Sequence, residues 1–189
     1  MTLRPPYFFG YGSLVNTATH DYQDPQPARL DGWRRKWCHT ALRDVAFLTV
    51  EPAPEVQIDG LIAAVPNADW QGLDRREFAY DRLAADHQIQ HPLPGNPEIS
   101  LYAVPLEAQN QGSARHPILL SYLDVVVQGH LQVFGETGVD DFFASTRGWD
   151  APILNDRQKP RYPRHQLLTA VERQLVDHHL NQLKAQILT

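Results

Sequence analysis

Short apolar runs punctuated by glycine and proline fill the first half of the chain, and longer runs with helical spacing fill the second. Residues 7–9 have strand composition and stop at Gly10. Residues 16–27 are polar and contain prolines, which predicts a loop. Residues 33–40 (WRRKWCHT) and 46–50 predict strands, and residues 58–65 (IDGLIAAV) predict a third, apolar enough to be buried. Pro66 ends that strand, and Asn67 or Asp69 can cap a helix over residues 68–83. Residues 88–105 predict two short strands around the turn-rich PLPGNP. Pro117 suits a helix start, residues 118–134 continue with helical periodicity, and 139–147 predict a shorter helix. Residues 148–165 are irregular, and 166–188 predict a final amphipathic helix. Strands first and helices afterwards predict an α+β fold, read as one domain over residues 1–189 with the final helix packed on it.

Two positions break this pattern in a way that suggests chemistry. Gly10 and Gly12 bracket Tyr11 directly after the first strand. Glycine permits positive φ and lets backbone approach a ligand with no β-carbon in the way. Successive N–H groups in such a turn can converge on an anion, and Ser13 adds a hydroxyl. The phosphate-binding GxxxxGK[ST], the dinucleotide GxGxxG and the nucleophile elbow GxSxG all fail on spacing here. A simple strand end with a tight turn remains an even alternative on these residues alone.

The second position is Glu77. At about 100° per residue, Trp70, Leu73, Glu77 and Tyr80 fall on one stripe of the expected 68–83 helix. A carboxylate pointing inward must be paired, hydrogen-bonded or partly protonated, and desolvation raises its pKa toward the range useful for proton transfer. Either a catalytic carboxylate or a structural ion pair with an arginine fits the spacing. Asp74 and Asp81 flank the stripe nearer its edge.

Composition narrows the setting. The chain has 189 residues with a formal net charge of −5, which argues against a general nucleic-acid or anionic-membrane surface. Cys38 is the only cysteine, so no internal disulfide forms; it reads as a small core residue, and a cytoplasmic location is expected. No run reaches the roughly 20 apolar residues that span a bilayer. His87 and His91 flank an expected strand and predict no metal site, and His178 and His179 read as surface residues. Arg157, Arg161 and Arg164 form the most basic local stretch, either a lid or, preferably, a solvated loop.

FGYGSL and LDRREFAY together resemble motifs of the gamma-glutamyl cyclotransferase superfamily, with the pattern nearest its ChaC-like bacterial members. GWRRKW is similar to the arginine-bearing strand of that family, IDGLIAAVP to the strand before its catalytic helix, and ILLSYLDVVVQGHL to a later helix with a Ser-Tyr pair. The GSARHP and NDRQKPRYPR loops stand outside the resemblance. The resemblance implies a small mixed β-barrel with flanking helices. It also implies cyclisation of a gamma-glutamyl amine or peptide to 5-oxoproline without cofactor or metal. Glu77 would be the acid/base, residues Tyr11, Gly12, Ser13 and Leu14 would bind the gamma-glutamyl head, and Tyr80 and Tyr122 would be further contacts. Glutathione, gamma-glutamyl dipeptides and gamma-glutamylamines all stay open as substrates. So does the choice of α-carboxylate or oxyanion as the group held by the loop. A non-catalytic binding module on the same fold is the alternative, and oligomeric state is not legible.

Overall fold

The computed structural model describes residues 4–109 and 116–189; residues 112–115 of GSARHP lie outside the described residues. Strand β1 (Tyr7–Gly10) is followed by two long strands, β2 (Gln23–Thr40) and β3 (Arg43–Ala64), which pair antiparallel as one hairpin. The short helix α1 (Gln71–Arg76) leads to β4 (Asp81–Ala84), β5 (Ile89–Gln90) and β6 (Ile99–Ala103). These six strands form one curled, half-barrel sheet in the order β4-β6-β1-β3-β2-β5. A second, three-stranded parallel ribbon contains β7 (Ile118–Leu119), β8 (Ile153–Leu154) and β9 (Ile187–Leu188). Helix α2 (Leu120–Ser145) follows β7, and α3 (Ala170–Gln182) precedes β9.

β1 is central and covered on both faces, as its unbroken apolar run requires. Tyr7 and Phe9 enter the main core with Leu30, Trp37, Leu48, Ile58 and Ile62 of the hairpin. Leu123, Val126, Val139 and Phe142 of α2 close that core. Phe8 points the other way, into a smaller cluster with Leu14, Ala63, Val65, Leu73 and Tyr102. Each such side chain contributes on the order of 1.5–3 kcal/mol by burial, so α1 is seated largely through Leu73. Thr169 starts α3 with a capping box, accepting from the Glu172 N–H while the Glu172 carboxylate accepts from the Thr169 N–H.

The α+β class stands, and several element boundaries differ from expectation. The expected loop at 16–27 already enters β2 at Gln23, and the strands expected at 46–50 and 58–65 are parts of the single strand β3. Proline-bearing stretches pair within this hairpin, Pro27 opposite Leu61 and Pro52 opposite Trp33, with register shifts nearby. The helix expected over 68–83 stops at Arg76, and residues 81–84 pair with β6 as a strand. The helices expected at 118–134 and 139–147 form one element interrupted at Gly135, whose φ of 71° is a conformation glycine adopts without penalty. The final helix is shorter than 166–188. No helix among the described residues is long and apolar enough to cross a membrane.

Candidate active site

The loop after β1 is shaped by close approach rather than by positive φ. Gly12 has φ −126°, and a β-carbon there would lie 2.8 Å from the Tyr122 hydroxyl and 3.2 Å from Leu48. A β-carbon on Gly10 would lie 2.5 Å from that of Leu14. Residues Ser13–Val15 and Thr17–Thr19 then form two single 3-10 turns, joined by buried Asn16. The Asn16 amide donates to the Val125 carbonyl and to Gln128 Oε1, both at 3.0 Å, and so ties the loop to α2. Gly129 permits this contact, because a β-carbon there would come within 2.6 Å of the Asn16 nitrogen.

Arg35 supports the loop from behind. Its side chain is buried, and its Nε donates to the Tyr11 carbonyl at 2.8 Å. The same guanidinium also bonds the Asp59 carbonyl and lies 3.1 Å from His130 Nε2. Because an arginine only donates, His130 Nε2 is the acceptor; Nδ1 carries the proton and donates to the Val126 carbonyl at 2.9 Å. Burial, reinforced by the Arg35 charge, pulls the His130 pKa down to about 3, and burial lowers that of Arg35 to about 10.

Glu77 is the residue just past α1, with φ −98° and ψ 35°. Its N–H still donates to Leu73, and its carbonyl accepts from the Tyr80 N–H. Glu77 is thus the last residue bonded in the register of α1, and the chain turns directly after it. Its side chain is 16% exposed, with Oε1 3.2 Å from Arg76 Nε. Arg76 also donates to the Thr19 carbonyl, to Thr19 Oγ1 and, at 3.4 Å, to Ser13 Oγ, so one guanidinium connects Glu77 with the glycine loop. Desolvation raises the Glu77 carboxyl pKa, and the charges of Arg76 and Arg164 offset part of that rise. Asp74 is exposed, paired with Arg82 and bonded by the Tyr102 hydroxyl, while Asp81 is exposed on β4.

Three phenols surround the carboxylate. The Tyr11 hydroxyl donates to the Tyr102 carbonyl at 2.5 Å, and the Tyr80 hydroxyl to the Leu48 carbonyl at 3.0 Å. The Tyr122 hydroxyl faces Ser13 and Gly12, 2.8 Å from where a β-carbon on Gly12 would stand. Burial raises the pKa of all three, and the Glu77 charge adds to it, so they stay neutral. They supply dipoles and a low dielectric without competing for the proton.

Two chambers meet at this cluster. The inner one, about 30 Å³, is walled by Tyr11, Gly12, Ser13, Leu14 and Tyr102. The outer one, about 170 Å³, opens toward Arg43, Phe78 and residues 161–164. Ser13, Leu48, Glu77, Tyr80 and Tyr122 line both. The structure thus gathers all seven residues singled out in the sequence around one cleft. Leu14 contributes least to it, since its side chain joins the smaller core cluster and its carbonyl bonds His20 Nε2.

No protein-family profile matches the chain, and no curated protein matches it in sequence. Solved structures do match its fold. One named gamma-glutamyl cyclotransferase superposes with a TM-score of 0.59 at 12% identity, covering 91% of this chain and 98% of that one. An uncharacterized protein from Homo sapiens gives a TM-score of 0.59 at 12% identity, covering 92% and 99%. YkqA from Bacillus subtilis gives 0.57 at 18% identity, covering 76% of this chain and 56% of that protein, so the chain spans little more than half of YkqA. The chain has the gamma-glutamyl cyclotransferase fold.

On this cyclotransferase fold, the arginine-rich stretch is a solvated loop in part: Arg161 and Arg164 are exposed as expected from sequence, but the stretch is anchored at its base. Arg157 is clamped between Asp124 and Asp177, at 2.7 Å each. The buried Asp156 carboxylate accepts from the N–H and hydroxyl of Ser121 and from the Arg161 N–H, and the Ser121 hydroxyl accepts from the Tyr162 N–H. Tyr162 packs edge-on against Tyr122, with ring centroids 4.9 Å apart. Residues 161–164 are thereby held as a wall of the outer chamber. Sequence reading gave no role to Arg76, although its place beside Glu77 in LDRRE was a usable signal. Nothing in the sequence pattern pairs Ser121 with Asp156, which lie 35 positions apart.

Proposed function

We propose that this protein cyclises a gamma-glutamyl amine or peptide to 5-oxoproline and releases the amine, in the manner of a ChaC-like cyclotransferase. The observation that carries the reading is Glu77, a largely buried carboxylate with a raised pKa at the junction of the two chambers. The fold similarity to a structure named gamma-glutamyl cyclotransferase supports it. The substrate's α-ammonium must lose a proton before its nitrogen can attack the γ-carbonyl. Glu77 accepts that proton, the new bond from this nitrogen to the γ-carbonyl carbon, Cδ, closes the five-membered ring, and the bond from Cδ to the leaving nitrogen breaks as Glu77 returns a proton to it.

The reacting groups belong to one molecule, so a chamber that folds the substrate contributes through proximity. Residues 11–14 hold the gamma-glutamyl head in the inner chamber, through its α-carboxylate or the developing oxyanion. Tyr80 and Tyr122 flank the reacting carbonyl.

The test is release of 5-oxoproline from a panel of gamma-glutamyl compounds by the wild type and by Glu77→Gln. Gln keeps the size and loses the titrating group; loss of turnover by a folded variant supports the role. Near-normal turnover would sink it. The Arg76–Glu77 ion pair favours a second reading, a binding module in which Glu77 is structural. Under that reading, compounds bind without turnover.

A further inference from the structure

The outer chamber carries a charge pattern that the gamma-glutamyl head does not use. Arg43, at the start of β3, and Arg161 and Arg164, in the wall after β8, come from segments more than a hundred residues apart and line the same mouth. Among the described residues, none of these three guanidinium groups has a carboxylate within ion-pair distance, whereas Arg29, Arg76, Arg82 and Arg157 each do. Their placement is structured. Arg43 stacks over the Phe78 ring at 4.6 Å, and the backbone at Arg161 and Tyr162 is fixed by Asp156 and Ser121. With Arg76 deeper in, the lining holds four arginines against one carboxylate, Glu77, in a chain whose net charge is −5.

We infer that the mouth is an anion subsite for the amine half of the substrate, so that specificity rises with the negative charge on the leaving amine. The inference rests on the cyclotransferase reading of the site. An amino acid or acidic peptide as leaving group places its carboxylates among Arg43, Arg161 and Arg164, where planar guanidinium groups bind carboxylates in a forked geometry. An uncharged amine leaves the same cations solvated and gains nothing from them. Partial exposure keeps each contact modest, and several converging contacts add.

The experiment compares kcat/KM for gamma-glutamyl-glutamate, gamma-glutamyl-glycine and gamma-glutamyl-glycinamide at low ionic strength. The expected order is as written, with a step of about threefold or more for each added negative charge. Arg161→Gln and Arg43→Gln should each compress the ratio between the glycine compound and its amide. Arg164 is a poorer probe, because its charge also acts on Glu77. Equal kcat/KM for acid and amide, with 5-oxoproline released from both, overturns the subsite and leaves the cyclotransferase reading intact. A large ratio untouched by both substitutions overturns the assignment to this rim. No product from any compound overturns the cyclotransferase reading and the inference with it.

Discussion

Arg76 and Glu77 are neighbours in sequence whose side chains meet at 3.2 Å inside the cleft, and the same guanidinium reaches Ser13 and Thr19. The arginine lowers the carboxyl pKa that burial raises. Arg76→Gln removes that offset. The acid limb of the kcat/KM profile, which reports the free enzyme's base, then moves to higher pH. Arg76→Lys keeps the charge and should move it less. A limb that stays in place in Arg76→Gln would show that Glu77 is not the titrating group.

Glu77→Gln should separate activity from stability. Activity should fall by roughly 10²- to 10⁴-fold, the usual contribution of general acid–base catalysis. Stability should change in the other direction. A carboxyl whose folded pKa lies above its unfolded value favours the folded state when protonated. That benefit is full below the unfolded value and lost as pH rises through the folded one. Gln mimics the protonated form at every pH. The variant should therefore melt above wild type near pH 7–8, and the difference should shrink as pH falls toward the ordinary carboxyl range. Thermal melts across pH check it.

Gly129→Ala tests the seat of the glycine loop. In a free helix this change is favourable by about 1 kcal/mol. Here the added β-carbon meets the Asn16 backbone nitrogen at 2.6 Å, an atom that cannot swing aside. The expected result is destabilisation of about 1–3 kcal/mol, as for other overpacked sites. Turnover should fall further, because the displaced loop carries Ser13. Denaturant unfolding and steady-state assays read the two effects. A variant as stable as wild type would mean that α2 and the loop part easily.

His130 predicts an acid-sensitive fold. It is held neutral between Arg35 and the Val126 carbonyl, with a pKa near 3 against an ordinary 6.5. The unfolded chain therefore binds a proton that the folded one refuses, and stability falls as pH drops from 6.5 toward 3, at up to about 1.4 kcal/mol per pH unit. His20, also lowered by burial, adds in the same direction. His130→Gln, which keeps an acceptor for Arg35, should flatten the slope of unfolding free energy against pH over that window.

The fold class was legible because buried strands and helices differ in period, and β1, β3 and α2 carry long apolar runs. The hairpin was not, because Pro25, Pro27, Pro52 and Pro54 read as breaks although β2 and β3 pair along most of their length. β4 was hidden for a different reason. All four of its residues are exposed, so its pairing with β6 leaves no alternation to detect. Glu77 faces inward as the stripe predicted, bonded in helical register to Leu73, but the helix ends there and Tyr80 follows a turn that helical periodicity does not describe. Arg43 and Arg161 meet at the cleft, and Ser121 and Asp156 anchor the wall behind it, only through tertiary pairing, for which one sequence holds no local signal.

The parallel ribbon has a kinetic consequence. β7 runs directly into α2, which carries Ser121 and Tyr122, and β8 runs into Asp156, so Ile118 paired with Ile153 sets helix and arginine wall at a fixed spacing. Four hydrogen bonds at the Ser121–Asp156 junction then lock the base of that wall. Many enzymes wait on a lid to open before product leaves. With its wall pinned at the base to the helix that also lines the cleft, ligand exchange is expected not to wait on a swing of residues 161–164.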